Sequence, residues 1–409
     1  MTAFERGHYE EAENIFRDTL RQATGYGRLD PRFVSSIVNL AETLQTMNKY
    51  SEAEQLLRQP LATRDIAIGP IDPGVTVVLI KLGVICEKQG KYSEAETIEK
   101  QALERLRQID EPNYHNMVMA LTNLATLYRV EGRYPEAKSI LHQLLSIPES
   151  FRENEVPHSP LLLNSFALAY SSEGDYKKAA NLYEHALMVL KKMYGEDTPL
   201  FSNVLNNLGT LQIERGNYDQ AEHLFRRSLA IVVKILGPED REMVLDLSQL
   251  GAIRYSKHDY PEAERLYAHA MTILKRQAGL PSLDLARASE NAGMVYLAER
   301  KYDEAKSSFN QAISIKEMLM GPEYPGVGMS LNKLTTAELA DHHYIDAEPH
   351  CQRAIAILEA ASPREYEGLI EALSNYAWVL TKTNRQGQAD LIQTREMVYR
   401  AKLKELDGK

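Results

Sequence analysis

A six-residue phrase recurs along the whole chain, and this repetition constrains the fold more than any other feature. The phrase combines a small or polar residue, a second polar residue, Tyr, two variable positions and Ala, as in GKYSEA at Gly90. Ten copies in one register are not expected by chance, so the chain is a repeat protein. The steps are 42 residues except for a first step of 41, and the tenth copy has Gln386 instead of Tyr. The tyrosines are Tyr9, Tyr50, Tyr92, Tyr134, Tyr176, Tyr218, Tyr260, Tyr302 and Tyr344.

Each repeat divides into two stretches with helical spacing of apolar residues. In one unit, Val204, Leu208 and Leu211 lie on one side of the first stretch, and Phe225 and Val232 lie on one side of the second. The phrase between them predicts a turn, because its Gly or Asn tolerates the positive φ that ends a helix. Its small Ala allows the second helix to pack closely against the first.

These residues resemble the tetratricopeptide repeat. The 42-residue period and the pattern L-x-N-L-A/G followed by G-x-Y-x-E-A-E look most like the kinesin light chain type. The resemblance covers essentially the whole chain and implies an all-α fold. That fold is a right-handed superhelical solenoid of antiparallel helix pairs, with nine full repeats plus one half repeat and a concave groove lined by the first helices. Kinesin light chains carry a heptad coiled coil before a shorter array of repeats. This sequence shows no heptad segment and has a longer array, and this difference argues against a motor-adaptor role.

The phase of the phrase sets the predicted boundaries. Residues 1–26 form the second helix of an incomplete repeat, from about Tyr9 to Thr24, and residues 27–409 form the solenoid. An upstream domain, self-association or an atypical cap would cover Ile15 and Phe16 on the unpaired helix, and we favour the first two. The predicted repeats lie at about 27–68, 69–110, 111–152, 153–194, 195–236, 237–278, 279–320, 321–362 and 363–409.

Two prolines predict irregularities in the second helices. Pro60 falls in the middle of one helix and should kink it or end it early. Pro148 should end another helix, and the residues SIPESFRENEVPHSP after it predict a longer polar linker. We interpret this linker as tolerated loop variation, with a hinge or binding loop as the alternative.

Composition limits the partners and the compartment. The chain has 47 Lys and Arg against 57 Asp and Glu, a net charge of −10, which argues against nucleic-acid or anionic-membrane binding. No apolar run approaches the ~20 residues that span a bilayer. Two distant cysteines, Cys86 and Cys351, fit a reducing compartment. The sequence therefore predicts a cytoplasmic protein.

The chain carries no motif for catalysis, so we expect neither an enzyme nor a cofactor. The densest set of metal-ligating residue types lies around one turn phrase, where Cys351 falls in the apolar slot of the second helix, and we expect a core residue there and no metal. The members are Asp341, His342, His343, His350 and Cys351. Trp378 is predicted on the concave side of the last unit, either as end-cap packing or as an aromatic anchor for a ligand.

The strongest functional signal is a polar ladder, defined as the residue eleven positions before each turn Tyr. In tetratricopeptide domains this slot faces the groove, and the resemblance implies that its amides bond the backbone of an extended peptide. The alternative is that the amides bridge adjacent repeats or solvate the groove. The ladder is Asn39, Lys81, Asn123, Ser165, Asn207, Gln249, Asn291, Lys333 and Asn375.

Neighbouring slots extend the predicted partner-binding set to Arg129, Asn164, Asn206, Arg287 and Asn332. Acidic residues interleave with the basic ones, so the groove is mixed in charge. The sequence thus predicts a non-catalytic scaffold that binds a peptide segment or a folded partner in its groove. The alternatives are the sensor arm of a larger signalling protein and a scaffold that forms homo-oligomers through its unpaired first helix.

Overall fold

Paired helices follow one another along the computed structural model of the chain, which describes residues 9–26, 30–67, 73–109, 112–278, 282–361 and 366–407. These ranges hold twenty α-helices and one short 3-10 helix, with strands in none of them. The chain forms two compact units, 1–246 and 247–409, a division that the sequence did not predict. The predicted repeat boundaries at 27, 69, 111, 279 and 363 lie outside the described residues.

In the first unit, an unpaired helix is followed by five helix pairs, and a sixth pair begins at its end. The helices are α1 (Tyr9–Thr24), α2 (Pro31–Thr46), α3 (Tyr50–Ala67), α4 (Pro73–Lys88), α5 (Tyr92–Arg107), α6 (Tyr114–Val130), α7 (Tyr134–Leu145), α8 (Glu149–Asn154), the 3-10 helix η1 (Val156–His158), α9 (Pro160–Ser172), α10 (Tyr176–Tyr194), α11 (Pro199–Glu214), α12 (Tyr218–Leu236) and α13 (Met243–Ser256).

The second unit continues the same alternation of first and second helices. Its remaining helices are α14 (Tyr260–Ala278), α15 (Leu283–Ala298), α16 (Tyr302–Met320), α17 (Pro325–Ala340), α18 (Tyr344–Ala360), α19 (Tyr366–Lys382) and α20 (Gln386–Asp407). Together the two units confirm the all-α solenoid of nine helix pairs and one preceding helix within the described residues.

The turn phrase does what its residues predict. Every described copy has its first residue in the left-handed region, from Asn48 at φ 58° to Gly174 at φ 80°. His258, Arg300 and His342 adopt this conformation without being glycine. Each tyrosine of the phrase then opens a second helix, and the alanine three residues later is buried against the first helix.

Ion pairs join consecutive turn phrases, a feature that sequence analysis missed. The cation before the tyrosine reaches the glutamate four residues after the tyrosine of the preceding repeat. Because these groups lie near the surface, each pair is worth about 0–1 kcal/mol. The pairs are Lys49–Glu13 at 2.7 Å, Lys91–Glu54 at 2.6 Å, Arg133–Glu96 at 2.8 Å, Lys301–Glu264 at 3.2 Å and Arg385–Glu348 at 2.6 Å.

A long-range contact joins the start and the end of the first unit. Asn48 Nδ2 donates to Asp240 Oδ2 at 3.1 Å, although the two residues are 192 positions apart. Arg241 Nη1 donates to the carbonyl of Lys88 at 3.3 Å. The segment before α13 thus contacts the ends of α2 and α4.

One part of each proline prediction needs correction. Pro60 does not end α3 early, because the helix continues to Ala67. Pro60 is buried in the slot that most other second helices fill with Ala or Ser, so packing holds the helix across the missing hydrogen bond. α7 ends at Leu145, in agreement with the helix end predicted at Pro148, but the residues predicted as a longer polar linker fold in part into α8 and η1. Phe151 packs on Tyr114 at 5.3 Å between ring centroids, and Arg152 donates to the carbonyl of Ile147.

Candidate partner-binding surface

The first helices of consecutive repeats contact one another from α2 to α11 and from α15 to α19. The ladder residues lie along these rows of first helices, except for Gln249 on α13. Asn39 is exposed, Ser165 is buried, and the other ladder residues are half-buried. Most ladder side chains are therefore partly accessible to solvent.

In the first unit, the ladder bridges repeats. Lys81 forms an ion pair with Glu42 of the preceding first helix. Asn207 Nδ2 donates to Asn164 Oδ1 at 2.8 Å, again across one repeat. Asn123 Nδ2 donates to Glu99 Oε1 on the preceding second helix at 3.1 Å. These bonds match the bridging role that sequence analysis kept as its alternative. They use Nδ2 of Asn123 and Nδ2 of Asn207, so the Oδ1 atoms of these two amides take no part in the bridges.

In the second unit, the ladder bridge is ionic. Lys333 lies 3.2 Å from Glu290 Oε2, and Lys316 Nζ lies 2.8 Å from Glu290 Oε1. Ser330 Oγ donates to the same carboxylate at 2.5 Å. Burial raises the pKa of Glu290, but Lys316 and Lys333 outweigh this and hold its pKa below the ordinary value. Glu290 is thus a charged and fully partnered carboxylate.

Two residues of the predicted set are removed from the surface by burial. Asn206 is 4% exposed and Asn332 is 1% exposed. Asn332 Nδ2 donates to the carbonyl of Gly368 at 2.8 Å, which ties α17 to α19. These two residues, each directly before a ladder residue, therefore face the interior, although the sequence predicted them on the surface.

The two predicted arginines differ in their partners. Arg287 is exposed and pairs with Asp284 on its own helix at 2.6 Å. Arg129 is half-buried and has no ion-pair partner among the described residues.

Arg129 lines a cavity of about 230 Å³ in the first unit, which is formed by the first helices α6, α9 and α11 together with the second helices α7 and α10. The ladder residue Asn207 lines it as well. The other lining residues are Tyr134, Ala137, Lys138, Leu141, Leu168, Ser171, Ser172, Tyr183, Thr210 and Glu214. The floor is therefore apolar and the rim polar, with room for about one large side chain.

The predicted cluster around His342 is held by other contacts. His350 Nδ1 lies 3.0 Å from Glu338, and this bond raises the pKa of the histidine. His343 pairs with Asp341, and His342 bonds the hydroxyl of Tyr344. Cys351 is buried in the core, as expected.

Among the described residues, one group brings potential metal ligands within 4.8 Å of one another, and it lies elsewhere: Glu54, Cys86 and Glu94. Arg58 bonds both carboxylates, at 2.8 and 2.5 Å, and Lys91 bonds Glu54 at 2.6 Å. Burial raises the pKa of the Cys86 thiol to about 12, so the thiol stays protonated. Two cations already balance the acids, and these residues do not fit a metal ion.

Trp378 lies on α19 with its side chain half open to solvent, at 52% exposure. It follows Asn375 by three positions, so both share a face of the helix. Asn375 Nδ2 is buried without a hydrogen-bond partner among the described residues.

The tetratricopeptide repeat family model matches the chain in seven overlapping windows. The windows are 34–108, 74–150, 116–192, 158–234, 200–276, 243–318 and 284–360. Since they cover most of the sequence, the chain belongs to the tetratricopeptide repeat family.

Solved structures show the same fold. A signal transduction ATPase of Pyrococcus horikoshii with a tetratricopeptide repeat sensor is 16% identical, with 86% of this chain and 54% of that chain covered and a TM-score of 0.55. The apo quorum sensor NprR of B. thuringiensis is 12% identical over 90% and 98% of the chains, with a TM-score of 0.53.

A protein of Podosopora anserina, described as having nearly identical TPR-like repeats of a kinesin light chain, is 19% identical. The match covers 51% of this chain and 98% of that chain, with a TM-score of 0.45. No curated protein matches the chain significantly. Within the described residues, each helix is too short or too polar to cross a bilayer.

Proposed function

We propose that this chain is a non-catalytic interaction module that binds a polypeptide segment along its row of first helices. The observation that supports this most is the position of Asn207, a ladder amide that lines the cavity formed by α6, α7, α9, α10 and α11. Its Nδ2 is held by Asn164, which fixes the amide before any partner arrives. A fixed amide loses little entropy on binding and suits a main chain of any sequence.

The proposed contact surface is the ladder without its one buried member, Ser165. It comprises Asn39, Lys81, Asn123, Asn207, Gln249, Asn291, Lys333 and Asn375, with Arg129 beside the cavity. The net charge of −10 favours a protein partner over nucleic acid. We also propose that the chain acts in the cytoplasm without a cofactor or metal.

Peptides selected from a random display library against the intact chain would test this proposal. Asn207→Ala should weaken a selected peptide about tenfold, which corresponds to about 1.4 kcal/mol. Asn181→Ala is the matched control, because Asn181 is exposed on the second helix α10. Equal affinities for the wild type and Asn207→Ala would contradict the proposal, provided that both unfold at the same temperature.

A second candidate is the sensor arm of a larger signalling protein. Two structures with this fold are described as sensors, which supports this alternative as an analogy of fold alone. Self-association is a third candidate, and it is supported by Ile15, which is 48% exposed on α1. Light scattering of the wild type and of Ile15→Glu decides it: a monomer in both would exclude self-association.

A further inference from the structure

Glu99 occupies a slot that other repeats fill with uncharged core side chains. The slot lies seven residues after the turn tyrosine. Among the copies with that tyrosine, a carboxyl group occurs there once. The other occupants are Phe16, Leu57, Leu141, Tyr183, Phe225, Tyr267, Phe309 and Cys351. A glutamate in this slot costs packing and desolvation energy, so it needs a physical reason.

The glutamate lies beneath the ladder. Glu99 is 2% exposed, and a Cβ at Gly83 would clash with its carboxylate, so the glycine makes room for it. Its Oε1 accepts the bond from Asn123 Nδ2 at 3.1 Å. Its Oε2 is buried and has no hydrogen-bond partner among the described residues.

Few charges face this carboxyl group. From α4 the groups are Lys81, which is already paired with Glu42, and Glu87. From α6 the facing group is the neutral amide of Asn123. Burial raises the pKa of Glu99 well above its ordinary value, against the opposing effect of the Asn123 bond. The carboxyl group therefore keeps its proton at a higher pH than a surface glutamate does.

The proton decides which way the amide can point. An ionised carboxylate only accepts, so Asn123 must donate Nδ2–H and direct its Oδ1 away from Glu99. A protonated carboxyl can still accept from Nδ2, but its O–H then lies on Oε2, which has no partner among the described residues. With the O–H on Oε1 instead, it donates to Oδ1 of the amide turned by 180°, and the NH₂ group points away. Both orientations of an amide occupy nearly the same volume, so the surrounding packing accepts either.

We propose that Glu99 is a positioning residue whose proton selects whether Asn123 presents a carbonyl oxygen or an amino group on the row of first helices. The proton comes from solvent, and no other group needs to move. The consequence for a partner rests on the proposed function, whereas the coupling between Glu99 and Asn123 does not.

The coupling is tested by NMR on the full chain labelled with ¹⁵N-asparagine. The side-chain amide of Asn123, assigned by its loss in Asn123→Ala, is followed from pH 4.5 to 9.5. We expect one titration well above the ordinary pKa of a glutamate, because burial raises the pKa of Glu99. It should vanish in Glu99→Gln, with the remaining amide signals confirming the fold.

Glu131→Gln is the matched control, because Glu131 is also buried but pairs with Arg133 at 2.9 Å instead of a ladder residue. It should keep the Asn123 titration. A flat Asn123 signal, an ordinary midpoint, or a titration that survives in Glu99→Gln overturns the proposal.

The consequence for binding is tested with a display-selected peptide whose affinity depends on both Asn123 and Asn207. Between the lower and the upper plateau of the Asn123 titration, its affinity should change at least fivefold for the wild type and Glu131→Gln, and less than twofold for Glu99→Gln. The same pH dependence in Glu99→Gln as in the wild type overturns the link to binding. If peptides bind regardless of Asn207→Ala, the proposed function fails, while the amide titration still decides the role of Glu99.

Discussion

Two buried glutamates, one in each unit, show opposite solutions to the same problem. Glu290 is 5% exposed and is bonded by two lysines and a serine, so its pKa lies below the ordinary value. Glu99 is 2% exposed and has one amide as its hydrogen-bond donor, so burial raises its pKa well above the ordinary value. Burial is equal, and the partners decide the charge. The second unit therefore holds a fixed ion pair, whereas the first holds a carboxyl group that can change its charge.

Removing the main partner of Glu290 should have the largest effect. Lys316→Met leaves a buried carboxylate with Lys333 and Ser330 alone, which should lower the free energy of unfolding by about 3–5 kcal/mol. Urea titration measures this loss. The double variant Glu290→Gln/Lys316→Met should recover most of it, and a double variant as unstable as the single one would show that packing, not charge, is lost.

The pH dependence of stability should follow another buried acid of the first unit. Asp246 accepts a bond from Ser228 at 2.9 Å, and burial raises its pKa to about 8. Because the pKa of this carboxyl group is higher in the folded state, its contribution to stability is fully present below the unfolded pKa of 3.8. That contribution is lost as the pH rises towards 8.

Asp246→Asn should remove up to about 1.4 kcal/mol of this loss per pH unit between pH 5 and 8. Urea midpoints across that range measure it. Asp303→Asn, with a side chain 92% exposed, should keep the wild-type slope. The opposite slope is expected from Glu290, whose lowered pKa adds stability that disappears as the pH falls below the ordinary value.

Replacing Glu99 by the leucine found in the same slot of other repeats should raise stability. Glu99→Leu removes a buried, under-bonded carboxyl group and should add about 1–3 kcal/mol. Chemical unfolding at pH 7.5 gives the difference. Destabilisation by this change would mean that the carboxyl group holds the repeat together, and the contrast with Glu290 would disappear.

The turn phrases offer the smallest effects. Gly216 lies at φ 75° with nothing within 4 Å of an added Cβ, so Gly216→Ala should cost about 1 kcal/mol through backbone strain alone. Arg300 adopts φ 60° in the same position of the second unit, so Arg300→Gly should gain a similar amount. Thermal unfolding would show both, and shifts of the same sign would contradict this account of the turn.

The sequence predicted the helices well because the turn phrase is local. Positive φ at its first residue and a second helix at each tyrosine follow from six consecutive residues. Pro60 and the segment after Pro148 were predicted wrongly, because the buried ring of Pro60 and the packing of Phe151 on Tyr114 are tertiary effects. The contact of Asn48 with Asp240 joins residues 192 positions apart and has no local signal.

The candidate surface was predicted less completely. The period of the repeat identified the ladder slot. The burial of Asn206 and Asn332 depends on how each helix is rotated about its own axis, and the polarity of the residues alone does not determine that rotation. Glu99 was missed although its signal was present: comparison of the slot seven residues after each turn tyrosine shows one glutamate among uncharged residues.

A photo-crosslinking residue at Thr210 tests the central claim most directly. Thr210 lines the cavity one turn from Asn207, so the ladder itself stays intact. Irradiation in native lysate should link a polypeptide from position 210 and far less from the exposed position 181 on α10. Strong crosslinks from 181 with none from 210 would place the working surface on the second helices and contradict the account.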